Sequence, residues 1–242
     1  MTADGWAQVV RHQLGLGRLL PLGGPRDGAW ITEGAADSVL RRAAAPVRGI
    51  RLGTLRIALA DPDQSYDPAV PPPPSALPPG PLRISAEFTA SADPTAPGVE
   101  PLPTTAARLR QSLATAATER LGLTVTEVDL RVTGLDTDET PASAPRPDEH
   151  PAAEPTHADE SRVATAALSV PGVTHLTDTL GRPVHIEDTR GGDATVPRRH
   201  VRVEVAVSGD ERALDVARAV RTAVTNALKD TPSVAVLVTK AH

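Results

Sequence analysis

Apolar residues recur along this chain in two spacings that take turns, and the alternation outlines its elements. Ala35, Ala36, Val39, Leu40 and Ala43 fall at helical intervals behind Thr32, whose hydroxyl can accept from a free first-turn amide; Pro46 and Gly49 end that helix. The string GIRLGTLRIALAD then offers two short extended runs about Gly53 and reads as a tight hairpin. Leu82, Ile84, Ala86 and Phe88 alternate with Arg83, Ser85 and Glu87, the period of a strand buried on one face. Helical spacing returns at Leu109, Leu113, Ala116, Ala117 and Leu121, with Thr104 as the expected cap and Gly122 as the stop. Val128, Leu130 and Val132, set against Asp129 and Arg131, predict a closing strand.

The same order returns further on. Val163, Ala166, Ala167 and Val170 line a helix that ends in V-P-G-V, which places Gly172 before Val173 much as Gly49 precedes Ile50. A hairpin is expected around Leu180 and Gly181, then a strand in which Val201, Val203, Val205 and Val207 alternate with His200, Arg202, Glu204 and Ala206. Ser208 and Glu211 have the spacing of a capping box ahead of a helix striped by Leu214, Ala217, Val220, Val224 and Leu228. The last segment, SVAVLVT, is apolar without alternation, which predicts a central strand covered on both faces.

The pattern therefore predicts an α+β protein of two related α-β-β-β-α-β units, each a small mixed sheet with two helices. The expected divisions are an N-terminal arm (1–30), a first unit (31–136) with a Pro-rich insertion (61–81), a flexible Pro-rich acidic linker (137–158) and a second unit (159–242).

Composition narrows the chemistry. Trp6, Trp30, Tyr66 and Phe88 are the whole aromatic content of 242 residues, so aliphatic side chains must fill the interior and base-stacking platforms are disfavoured. There is no cysteine, which removes thiol catalysis, disulfides and Cys-ligated zinc. No run approaches a membrane span and the first residues lack a signal-peptide pattern, so a cytoplasmic location is expected. Walker, dinucleotide, nucleophile-elbow and H-E-x-x-H signatures are absent, and no cofactor or catalytic residue is assigned. His175, His185 and His200 sit on predicted strands without ligand spacing and read as surface positions rather than a metal set; His150 and His157 fall in the linker. Glu187 and Asp188 are adjacent on a strand, so they point to opposite faces and share no site. The Pro run reads as a surface loop or a polyproline II ligand.

One cluster remains as an interaction surface. Arg41, Arg42, Arg48, Arg51 and Arg56 make a basic cluster around the first helix and the expected hairpin, within a chain of net charge -5. Such a face is either solvated or engages anionic lipid or nucleic acid.

The element order, the V-P-G-V turn at Val170–Val173 and the helix-to-Val-rich-strand ending of each unit resemble the bacterial alkaline shock protein family, also called envelope stress response proteins. The second unit is similar over nearly its whole length; the first is divergent, with PVRGI at Pro46–Ile50 in place of the turn. The resemblance implies a non-enzymatic cytoplasmic scaffold or adaptor, peripheral to the membrane, acting in cell-envelope homeostasis. It also implies a protein partner: a small membrane protein or the chain itself. Two other readings stand beside it: a nucleic-acid-binding module using the basic face, although no G-x-x-G loop is present, and small-ligand binding between the two units.

Overall fold

A computed structural model describes residues 17–91, 100–136, 157–189 and 198–241. The chain opens with a hairpin of β1 (Leu19–Leu22) and β2 (Ala29–Thr32), which leads into α1 (Glu33–Ala44). Thr32 caps α1 as its position predicts, its hydroxyl accepting from the Ala35 amide at 3.2 Å. Next come β3 (Ile50–Leu59), β4 (Leu82–Ser91), α2 (Leu102–Thr115) and β5 (Val125–Asp136). The second half runs α3 (Ala158–Leu168), β6 (Val173–Leu176), β7 (Val184–Thr189), β8 (Arg198–Val207), α4 (Ala213–Ala227) and β9 (Ser233–Ala241).

The α+β class is as the sequence predicts, with two mixed sheets. One is ordered β3-β4-β5; the other runs β1-β2-β9-β8, with β6 and β7 both along the far edge of β8. In each half an antiparallel pair is followed by a helix and then a parallel strand: β3/β4 then β5, and β6 with β7 on β8 then β9. Gly49 and Gly172, both in the left-handed region at φ 76° and 87°, turn the chain from helix to strand at matching places.

Several local expectations are corrected. The hairpin at Gly53 is one strand, β3, whose pairing to β4 steps from Leu52/Phe88 to Leu55/Ala86 over a bulge. Nor do residues near Leu180 fold back as a hairpin: β6 and β7 lie end to end on β8. Backbone bonds from Thr177 N to Glu204 O (3.1 Å) and from Glu204 N to Pro183 O (2.9 Å) hold the intervening loop against β8. Each half is thus α-β-β-α-β with a broken or bulged first strand. Ser208 does not cap α4, which starts at Ala213; its hydroxyl accepts instead from Asp210 N at 3.3 Å. Thr104 lies inside α2, because Pro103 suits the first turn and moves the start upstream to Leu102.

The larger correction concerns the arm. Its residues from Leu19 onward form β1 and β2, and β2 runs parallel to β9 with Ala29, Trp30 and Ile31 opposite Val236, Leu237 and Val238. A strand apolar on both faces needs a ladder partner on each side, and the sequence neighbours of β9 supply only β8. The first half therefore completes the sheet of the second. Of the expected linker, only His157 and Ala158 are described, at the start of α3; the rest lies outside the described residues.

A single core joins the halves, running from Ile31, Leu40, Ile57, Phe88 and Leu113 to Val163, Val205, Val220 and Val236. α1 touches β9 of one sheet and β3 of the other, while α4 covers β9 and packs on α3. Behind the larger sheet a second cluster gathers Leu19, Trp30, Ala235 and Leu237 under Val70 and Ala76 of the Pro-rich segment. That segment is a strap tied to the hairpin, with Leu77 N donating to Leu19 O at 2.8 Å and Trp30 Nε1 to Leu77 O at 3.4 Å.

Where the two halves meet, Gly122 holds φ 88° after α2, and a Cβ there would lie 2.4 Å from Leu214 Cβ of α4. Gly122→Ala is expected to lower the free energy of unfolding by about 2 kcal/mol or more, from left-handed strain plus the clash. Gly134→Ala, whose added Cβ meets only Thr89 Cγ2 at 3.7 Å, should stay within about 0.5 kcal/mol of wild type in the same urea titration. Equal effects of the two substitutions would refute the packing argument.

Candidate functional site

The structure divides the arginines of the predicted basic face. Arg41 is spent locally: Nε meets Asp37 Oδ2 at 2.7 Å, and its Nη atoms donate to the carbonyls of Leu52 (3.3 Å) and Gly53 (2.8 Å). Arg42 instead donates to Ala241 O, at the end of β9, at 2.9 Å. Register places Arg51 and Arg56 on the outer face of the smaller sheet, opposite Thr89 and Ser85. Arg48 is exposed in the turn between α1 and β3. The five are not brought together around one point.

Sheet edges separate the two sheets more clearly. The β1 edge is covered by the Pro-rich strap. The β3 edge is closed by side chains of α1, since Arg41 takes two of its carbonyls and Glu33 Oε1 accepts from Ile57 N at 3.0 Å. By contrast, no strand among the described residues pairs with the outer edge of β5, the longest strand. Arg110 Nε reaches across it to Val128 O at 3.1 Å. Val132 and Leu135 on β5 are 42% and 70% exposed, high for large aliphatics on a strand. On the outer face Arg83 Nε binds Glu127 Oε2 at 2.5 Å and lies 3.6 Å from Asp129 Oδ2, while Arg131 Nη1 sits 3.8 Å from Glu87 Oε1.

A buried ionisable group lies on the back of the larger sheet. Glu204 of β8 is fully buried opposite Leu237, and both its oxygens accept from Leu180 N, at 3.0 and 3.2 Å. Burial drives its carboxyl up to about 7, against the pull of the Leu180 and Thr179 amides and of Arg202, whose Nε lies 4.0 Å away and has no hydrogen-bond partner among the described residues. Four residues along β8 from Glu204, His200 is also buried, its Nδ1 2.8 Å from Ser233 Oγ; burial holds its pKa below the usual imidazole value. His185 of β7 hydrogen-bonds Glu187, which lowers the carboxyl pKa of Glu187. His175 pairs with Ala206, four residues along β8 from Arg202 or about 13 Å, so the three histidines do not converge. His200, expected at the surface, is buried on β8 beside Ser233 of β9. Among the described residues no three His, Asp or Glu side chains form a metal-binding group. His150 lies outside the described residues, and Glu187 and Asp188 pair with His200 and Arg199 on alternate faces.

Between the halves is a groove of about 670 Å³. Val39, Ala43, Ala116, Leu121 and Val207 are among its apolar lining, with Arg120, Glu119 and Asp210 among its polar residues. One wall is the π-helical turn Ala116–Leu121 that continues α2, a local widening often found at binding sites. Arg120 Nη1 crosses to Gly209 O at 3.1 Å. Sequence spacing could not locate this groove, because its walls come from α1, α2 and the loop before α4. No family model, no curated protein and no solved structure matches this chain.

The Glu204 carboxyl carries a pH dependence of defined sign. Its pKa rises from 4.5 to about 7 on folding, so the folded chain holds the proton more firmly over that interval. The group's contribution to stability is present below about pH 4.5 and falls as pH rises toward about 7, by up to about 3 kcal/mol. Glu204→Gln, which cannot ionise, should lack this slope, so its urea midpoint relative to wild type should rise between about pH 5 and pH 8. Parallel pH profiles for the two proteins would exclude it.

Proposed function

We propose that this protein is a non-enzymatic scaffold or adaptor that takes a protein partner along the β5 edge of its smaller sheet, in cell-envelope homeostasis. The observation that carries the reading is the contrast between the two edges of the smaller sheet: β3 is closed by side chains of α1, whereas no described strand pairs with the outer edge of β5, where Val132 and Leu135 are exposed. Strand addition to such an edge provides main-chain hydrogen bonds for affinity and alternate side chains for specificity. The envelope setting rests on the resemblance carried by V-P-G-V at Val170–Val173 and the Val-rich closing strand. No helix among the described residues is long and apolar enough to cross a membrane. Nucleic-acid binding is the weaker reading, because Arg41 and Arg42 are engaged with separate strands.

Small-ligand binding is a second reading, favoured by the groove between the halves and the π turn in its wall. Native mass spectrometry of the purified chain checks it. A bound small molecule that is displaced by Ala43→Phe supports the groove, and bare protein counts against it.

The adaptor reading is tested by Val132→Pro. The Val128 carbonyl faces Arg110 rather than β4, so by alternation the Val132 amide also faces outward and proline there leaves the β4 ladder intact. Wild type should be found in the envelope fraction of its cells and the folded variant in the soluble fraction. A wild-type protein that stays soluble under every growth condition would overturn the proposal.

A further inference from the structure

The outer edge of β5, which no described strand pairs with, is complementary to itself. Between irregularities in its pairing to β4 at Thr126 and Thr133, the strand reads Glu127, Val128, Asp129, Leu130, Arg131, Val132, with the odd positions on the outer face and the even positions toward the core. If a second strand of this sequence runs antiparallel with Leu130 opposite Leu130, Asp129 falls opposite Arg131 and Val128 opposite Val132, and each pair occurs twice. A slip of two residues in either direction sets Asp129 against Asp129 or Arg131 against Arg131. A slip of one sets outer against core positions. The slip onto Asp129 keeps Glu127 opposite Arg131, but of these registers only the one centred on Leu130 matches faces and sets no like charges against each other.

We propose that two copies of this chain join β5 to β5 antiparallel about a two-fold axis at Leu130, fusing two three-stranded sheets into one of six strands. The proposal rests on reading the β5 edge as the interaction surface, and it names the partner as a second copy. The even residues, whose backbone faces outward, become the hydrogen-bonded pairs: Leu130 with the partner's Leu130, and Val128 with the partner's Val132. Val132, 42% exposed, and half-buried Val128 and Leu130 then cover one another beside α2. On the outer face Asp129 and Arg131 are 64% and 80% exposed, and their own-chain contacts to Arg83 and Glu87 are long, at 3.6 and 3.8 Å. Each keeps a free side, so a ladder Arg83, Asp129, the partner's Arg131 and the partner's Glu87 forms twice across the axis. An isologous contact of this kind closes at two copies and leaves no further β5 edge exposed.

One contact has to yield. Arg110 Nε occupies Val128 O, the carbonyl that must accept from the partner's Val132 amide. Arg110 is exposed on α2 and can swing aside, which makes it a competitor for the edge rather than part of the joint.

The chain has no cysteine, so single-cysteine variants read the register directly. Under mild oxidation Leu130→Cys should form a disulfide-linked dimer. Val128→Cys alone should not, since its two copies would stand about 13 Å apart. Val128→Cys mixed with Val132→Cys should form the mixed dimer. In light scattering over a concentration series, wild type should pass from monomer to dimer mass and Asp129→Arg should remain monomeric. Asp129→Arg combined with Arg131→Asp should dimerise again, and Arg110→Ala should dimerise at lower concentration than wild type. Circular dichroism identifies any variant that fails to fold, and the cysteine series does not depend on the charge variants. A wild type that is monomeric throughout, or a dimer in which Leu130→Cys does not cross-link, overturns the self-pairing. If Val132→Pro still leaves the envelope fraction in either case, the adaptor reading survives without it; if Val132→Pro changes neither property, both are lost.

Discussion

The burial of β9 on both faces is the constraint on which the rest of this structure depends. Val234, Val236 and Val238 face the main core, while Ala235 and Leu237 face the smaller cluster behind the sheet. Such a strand cannot lie at an edge or face water without leaving ladder groups unpaired and apolar surface exposed. It therefore recruits β8 from its own half and β2 from the start of the chain. Helices α1 and α4 close one side, and the Pro-rich strap closes part of the other. Polar groups at the C-terminal end of β9 reinforce the arrangement: Thr32 Oγ1 donates to Thr239 O at 3.1 Å, and Thr239 Oγ1 meets Thr177 Oγ1 at 2.6 Å.

Closing the back of that sheet also removes a carboxyl from water. Glu204 faces the side lined by Leu237, so the loop between β6 and β7 lays the Leu180 amide on it, and burial still outweighs that bond in setting its pKa. The interruption between β6 and β7 thus has a physical role, because a continuous strand would hold its amides in the ladder instead of offering them to Glu204.

The smaller sheet is under no such constraint. Core residues of α1 and α2 cover one face, the other carries charged pairs, and closure by α1 reaches only β3. The same order of strands and helices therefore ends, among the described residues, in two different states: in one half the last strand is the centre of a sheet, in the other it is an edge. An edge strand of this kind can accept a further strand with little distortion.

Much of the local structure was legible from spacing. The helical stripes, the alternating Val and Leu rows, the Thr32 cap, the Gly122 stop and the central character of β9 depend on residues close in sequence, and the α+β class follows from them. Helix starts at Leu102 and Ala213, and the bulge that replaced a hairpin at Gly53, were not legible, because several local solutions satisfy the same residues and packing selects among them. The basic face read from Arg41 to Arg56 is scattered for a related reason: consecutive arginines on a helix find carbonyls on different strands. What only the tertiary structure decided is which segments share a sheet. The hairpin of β1 and β2 joins β9 across some two hundred residues, His200 becomes buried, the groove forms from three distant walls, and no described strand covers the outer edge of β5. Sequence determines what each segment must bury; only the assembled chain determines against what, because a ladder partner or an apolar cover is accepted from any point along the chain that can reach it.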